Sequence, residues 1–183
     1  MSAAVPNPRA FKSCVVIHAI SLLPPPLRGC LAQLLGGQVT LVQAHHNCRM
    51  TKHPYYGSET GWHRDIRYWS FERPDLISVW LALGNESEEN GGLWIVPGSQ
   101  ALDFDSARFD DAQFFRENAE SNRALLKRRI PVTLNQGDVL FFTAACYIRR
   151  AAIAASKRST PPCSRTATTT IVRSRIRARR HCL

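Results

Sequence analysis

His63 and Asp65 are the residues of this chain whose types and spacing are best suited to chemistry. They stand in Thr60-Gly61-Trp62-His63-Arg64-Asp65-Ile66-Arg67-Tyr68-Trp69. On an extended segment side chains alternate, so residues two apart point to one face. An imidazole nitrogen and a carboxylate oxygen on one face are two thirds of a facial triad. That set, two His and one carboxylate with open positions, suits non-haem Fe(II). The third donor would be a second His on a neighbouring strand late in the chain. Beyond Phe142 the only His is His181.

The elements that would position this pair read mostly as β. Residues 1–12 are polar and punctuated by Pro, a loose end. Val15–Leu23 is apolar, and its periodicity fits a strand or a short buried helix equally. Leu27–Leu35 reads as a short helix with Leu27, Leu31, Leu34 and Leu35 on one face and Gly36-Gly37 ending it. Val39–His45 reads as a strand, Pro54–Gly61 as a loop into the His/Asp segment, and Leu76–Leu83 as a buried strand. Asn85–Gly92 is an acidic turn, Leu93–Val96 a strand stopped by Pro97-Gly98. Leu102–Lys127 is charged and partly helical. Ile130–Leu134 and Asp138–Phe142 are short strands around a turn at Asn135-Gln136-Gly137. Many short strands between turn signals predict an antiparallel sandwich or jelly roll. Nothing repeats at a fixed period.

At 183 residues the chain is long enough for one domain with a sizeable core. Its net charge of +10 would suggest a nucleic acid or an acidic membrane as partner. The distribution of charge argues otherwise. The last 41 residues hold 10 Lys and Arg and no acidic residue, which leaves 14 charges of each sign in residues 1–142. The excess belongs to a tail. Cys14, Cys30, Cys48, Cys146, Cys163 and Cys182 form no CxxC pair and no zinc-spaced cluster, and read as free thiols in a reducing compartment. Val15–Leu23 follows Arg9 and Lys12 as a signal segment would, but His18 and Ser21 interrupt it and Pro24-Pro25-Pro26 follows. No apolar run is long enough to span a bilayer. The expected location is the cytoplasm.

A His and an Asp at this spacing arise by chance in roughly one of four or five chains of this composition, so the pair alone is weak. The motifs after it are specific together. Trp62-His63-Arg64-Asp65 is followed by Trp80-Leu81-Ala82-Leu83, then Glu89-Asn90-Gly91-Gly92-Leu93-Trp94-Ile95-Val96-Pro97-Gly98-Ser99, then Gly137-Asp138-Val139-Leu140-Phe141-Phe142. From about Leu34 to Phe142 the chain resembles the phytanoyl-CoA dioxygenase family of Fe(II)- and 2-oxoglutarate-dependent oxygenases. The resemblance implies a mainly β fold with some helix, a double-stranded β-helix or jelly roll. It implies Fe(II), 2-oxoglutarate and O2 as cofactor and co-substrates, and hydroxylation of an unactivated C–H bond coupled to decarboxylation of 2-oxoglutarate. His63 and Asp65 match the first two iron ligands. Trp80 matches a tryptophan near the 2-oxoglutarate site, and serves equally well as a core aromatic. Asn47 and Thr51 fall where family members hold the co-substrate with polar side chains. His45 and His46 are more ordinary as pocket-lining or solvated residues, Lys52 as a rim charge, and Gly91-Gly92 and Pro97-Gly98 as turn-formers.

After Phe142 the resemblance stops. The family continues with a short segment ending in the second His ligand, and then an Arg for the distal carboxylate of 2-oxoglutarate, a task suited to a guanidinium fork. Here Thr143-Ala144-Ala145-Cys146-Tyr147-Ile148-Arg149-Arg150 follows, and residues 143–183 contain no Gly, Asp or Glu. A reading-frame slip at Phe142 is one hypothesis that accounts for this. With one nucleotide restored before the Thr143 codon, the neighbouring frame allows Thr143–Ile148 to read His-Cys-Arg-Leu-Leu-His. Arg149–Ile153 can then read Ser-Ala-Gly-Arg-Asn, and Pro161–Ala167 Ser-Ala-Val-Phe-Thr-Tyr-Arg. The genomic sequence around the Phe142 codon tests it: a tail in frame and shared by related genes would refute it.

The expected organisation is therefore a jelly-roll oxygenase-like domain over 1–142, incomplete at its C-terminus and short at its N-terminus, and a basic tail over 143–183 outside the family pattern. The expected function is that of a 2-oxoglutarate-dependent hydroxylase of a small organic or acyl substrate, impaired here by the missing His and Arg. The alternative is a non-catalytic jelly-roll binding module whose tail binds nucleic acid or another acidic surface. Ten positive charges could give salt-dependent binding, but Tyr147 is the only aromatic there for stacking. No membrane partner is expected.

Overall fold

The computed structural model describes residues 25–42, 48–52, 59–68, 75–151 and 165–174. Val15–Leu23, His45, His46, Asn47 and His181 lie outside them.

Strand β4 (Leu76–Ala82) explains the architecture best. Ile77 and Val79 point one way, into a cluster with Leu31 of helix α1 (Pro25–Leu35). Trp80 points the other way, into a cluster with Leu93, Phe142, Cys146 and Ile148. Covered on both faces, β4 reads in sequence as an unbroken apolar run rather than an alternation. β4 pairs antiparallel with β7 (Val139–Thr143) on one side and β9 (Arg165–Ser174) on the other. The far edge of β9 takes both β1 (Val39–Leu41) and β2 (Cys48–Lys52). The second sheet runs β3 (Thr60–Arg64), β8 (Tyr147–Arg150), β5 (Leu93–Val96), β6 (Ile130–Pro131), also antiparallel. Two antiparallel sheets packed face to face form the jelly roll the sequence predicts.

Three apolar layers result. Helix α1 covers the outer face of the first sheet through Leu31 and Leu35, while Leu34 is 59% exposed and leaves the buried face expected of it. The middle layer lies between the sheets. The third covers the outer face of the second sheet: Trp62, Val96 and Tyr147 pack against Phe109, Phe115, Leu125 and Leu126. The last four belong to the 102–127 excursion, which holds helix α2 (Glu120–Leu126) and one short 3-10 turn (Ser106–Arg108). Burying each large apolar side chain contributes roughly 1.5–3 kcal/mol, so these layers dominate the stability.

Turn chemistry agrees with the sequence. Gly91 and Gly98 both adopt positive φ, +77° and +78°. Gly92 is required for another reason: a Cβ there would lie 2.6 Å from the Ser87 carbonyl oxygen. The chain beyond Phe142 contributes β8 and β9 to the two sheets, so the compositional break at 142 falls within β7.

Candidate metal centre

Alternation along β3 sends Trp62 to the outer layer and His63 to the space between the sheets. Asp65 begins a 3-10 turn (Asp65–Tyr68) at the end of β3, and its side chain also turns inward. The two side chains converge. His63 Nε2 lies 3.7 Å from Asp65 Oδ1, and both residues are buried. His63 Nδ1 sits 2.8 Å from the Gly61 carbonyl oxygen, which fixes the ring so that Nε2 faces the carboxylate. Phe114 packs its ring against the imidazole, centroids 5.8 Å apart.

Ser78 completes the pair from the opposite sheet. Its hydroxyl donates to Asp65 Oδ2 at 2.7 Å. The sequence reading missed it, although a lone Ser in the run Leu76-Ile77-Ser78-Val79-Trp80 is the signal of a buried polar partner. Burial lowers the His63 pKa from 6.5 to about 4; the Gly61 hydrogen bond opposes this and the Arg67 charge adds to it. Burial also raises Asp65 above the ordinary carboxylate range, against the Ser78 bond and the Arg67 charge. Without a metal, both groups are thus pushed toward their neutral forms.

Trp80 lies in the inter-sheet layer, 2% exposed, and its indole N–H donates to the Glu86 carboxylate at 3.1 and 3.2 Å. The Arg150 guanidinium sits 5.1 Å from the Trp80 ring centroid. Glu86 falls in the stretch read as an acidic turn and is only 4% exposed; burial raises its pKa and the Arg150 charge lowers it. Thr51 lies on β2 opposite Thr166, with the backbone alone described.

The donor set among the described residues does not fit a three-ligand iron site. Among the described residues no third His, Cys, Asp or Glu joins His63 and Asp65. Cys146 is buried nearby, but its thiol donates to the Val96 carbonyl at 3.6 Å and receives the Ser99 hydroxyl at 3.6 Å. Burial raises its pKa, so the thiolate a metal would need is disfavoured.

A double-sheet jelly roll with a buried His-x-Asp pair on its inner face defines a class of non-haem iron oxygenase scaffolds. Residues 14–147 match the sequence pattern of phytanoyl-CoA dioxygenase, and the chain belongs to that family. It is 36% identical over 80 residues to L-proline trans-4-hydroxylase from Streptomyces griseoviridis, covering 42% of this chain and 29% of that protein. It is 31% identical over 104 residues to ectoine dioxygenase from Bordetella parapertussis, covering 51% of this chain and 33% of that one. The chain thus spans about a third of the length of these curated relatives. Among solved structures, EctD from S. alaskensis with 2-oxoglutarate and 5-hydroxyectoine superposes with a TM-score of 0.59 at 19% identity, over 81% of this chain and 49% of that one. The non-haem alpha-ketoglutarate-dependent epimerase SnoN from nogalamycin biosynthesis gives 0.63 at 21% identity, over 82% and 55%. These likenesses establish the jelly-roll fold. No helix among the described residues is long and apolar enough to cross a membrane.

Proposed function

We propose that this chain carries the scaffold and two of the three metal donors of an Fe(II)- and 2-oxoglutarate-dependent hydroxylase of a small organic or acyl substrate, and that its turnover is impaired as it stands. The observation that carries this reading is the buried His63–Asp65 pair, held from two sides by Gly61 and Ser78, facing an apolar wall where a third donor is needed. Family membership supports the iron and the co-substrate; the relatives' small-molecule substrates support the substrate class. Trp80, Asn47 and Thr51 are the residues we assign to the 2-oxoglutarate side of the site. The 102–127 excursion, which packs Phe114 against His63, is the element we expect to select the substrate. The reading places the protein in the reducing cytoplasm, consistent with free Cys30 and Cys146.

Anaerobic Fe(II) titration followed by succinate measurement with 2-oxoglutarate and O2 tests it. The expected result is weak iron retention and little succinate. Tight stoichiometric iron and sustained succinate formation would refute the impairment; complete indifference of the protein to Fe(II) at any concentration would refute the metal site.

A further inference from the structure

The β3–β8 ladder sets Ile148 directly opposite His63. Directly opposed residues of an antiparallel pair share a face, with Cβ atoms about 4.5–5.5 Å apart. Ile148 is 4% exposed and packs with Trp80, Phe142 and Cys146 between the sheets. His63 therefore has a carboxylate on one flank and an apolar side chain on the other.

The geometry points to Ile148 as the third corner of the metal centre: the backbone of a three-donor site is intact, and one side chain separates this chain from a complete one. The inference rests on the reading of His63 and Asp65 as metal donors. Two imidazole nitrogens bound cis on one metal at about 2.1 Å stand roughly 3 Å apart. Ring rotation from opposed Cβ atoms closes that gap without moving the strands. Imidazole and the Ile side chain are similar in volume, so the ring fits the space, at the cost of burying its polar nitrogens until a metal binds them. A second argument falls on the same residue. In the neighbouring reading frame Thr143 and Ile148 are the two positions of 143–148 that can read His, and of these Ile148 is the one paired with His63.

Position 95 supplies an internal control. Ile95 faces Ile148 across the β8–β5 ladder, within the same apolar cluster but one strand farther from His63. Neighbouring strands are about 4.8 Å apart, so a donor at 95 begins nearly 10 Å from His63 with the Ile148 side chain between them, which disfavours a shared metal.

Anaerobic Co(II) titration, read by visible d–d absorption and by the shift in melting temperature, tests the inference without 2-oxoglutarate or turnover. The proteins are wild type, Ile148→His, Ile95→His and Ile148→His combined with Asp65→Asn. Ile148→His is expected to bind Co(II) at least on the order of 100-fold more tightly than wild type, the upper end of what losing a mere supporting hydrogen bond costs. Ile95→His should match wild type, and Asp65→Asn should reverse the gain. A folded Ile148→His that binds no better than Ile95→His overturns the inference. Should the His variant fail to fold, Ile148→Cys puts a small thiol in the same apolar space. A thiolate-to-Co(II) charge-transfer band then supports the inference, and its absence in the folded protein overturns it. Tight binding by the wild type would overturn both this inference and the incomplete-centre reading. It is told apart because it appears before any substitution is made.

Discussion

Ser78 donates its hydroxyl hydrogen to Asp65 across the gap between the two sheets, at 2.7 Å. The bond joins β4 to the end of β3, so it ties the sheets together at the place where the candidate metal donors converge. Ser78 itself is fully buried. Ser78→Ala removes the donor, leaves Asp65 Oδ2 unsatisfied in an apolar interior and opens almost no cavity. The expected loss is about 1–3 kcal/mol, the cost of stranding a buried polar atom. Urea denaturation of the two proteins measures it. A difference within 0.5 kcal/mol, the ordinary scatter of harmless surface changes, would show that water reaches Asp65.

The acid limb of stability should carry the signature of His63. The unfolded chain takes up this proton near the ordinary value of 6.5, the folded chain only near 4, chiefly because the ring is buried. Folding is therefore undisturbed above pH 6.5 and loses up to about 3 kcal/mol as pH falls from 6.5 to 4. Asp65 acts in the opposite sense. Its folded pKa is raised, so protonation on acidification favours the folded state and offsets part of the loss. In the metal-free chain, His63→Gln should flatten the fall in urea midpoint across this window. Parallel profiles for the two proteins would refute the assignment.

Much of this was legible in the residues. The His-x-Asp spacing located the pair, and turn residues bounded β4, β5 and β7 to within a residue or two. What escaped depends on tertiary placement. Leu34 lies on the apolar side of α1 by periodicity, but the sheet covers only Leu31 and Leu35 well. Glu86 belongs to an acidic turn, yet Trp80 reaches it with an N–H, and only the packing of the sheets brings them together. The opposition of Ile148 to His63 is a matter of register, which two strands far apart in sequence do not declare. The basic composition after Phe142 marks where the chain changes character. It does not mark where pairing ends, because the backbone bonds that hold β8 between β3 and β5 are available to almost any side chain.

Asn122 should prove structural despite its polarity. It is fully buried on α2, and its amide donates to the carbonyls of Arg108 and Arg116 at 3.1 and 2.7 Å. These bonds fold the 102–127 excursion back on itself and hold Phe109 and Phe115 against the second sheet. Asn122→Ala is expected to cost about 2 kcal/mol by removing both bonds. It should also speed proteolytic cleavage within 102–127 more than elsewhere. Uniform proteolysis across the chain would indicate that the excursion is held by its aromatic contacts alone.

Tyr147 presents the opposite case, a buried polar atom with nothing to bond. Its ring is fully buried and packs against Phe104, Phe109 and Phe115, with centroids 5.3, 6.1 and 4.7 Å away. Its hydroxyl has no hydrogen-bond partner among the described residues. Removing an unsatisfied hydroxyl while keeping the ring should be neutral or stabilising, by up to about 1 kcal/mol, so Tyr147→Phe should not lower the melting temperature at pH 7. Burial also pushes the phenol pKa up to about 12, against the pull of the Arg64 and Arg108 charges. The unfolded chain loses this proton near pH 10 and the folded chain near 12. The wild type therefore keeps its stability below pH 10 and gives up this component between 10 and 12, whereas the Phe variant has no such component to lose. Every other group is common to both proteins, so the stability difference between variant and wild type isolates Tyr147. It should widen in favour of the variant across pH 10–12. A difference that stays constant through that range would mean that solvent reaches the hydroxyl.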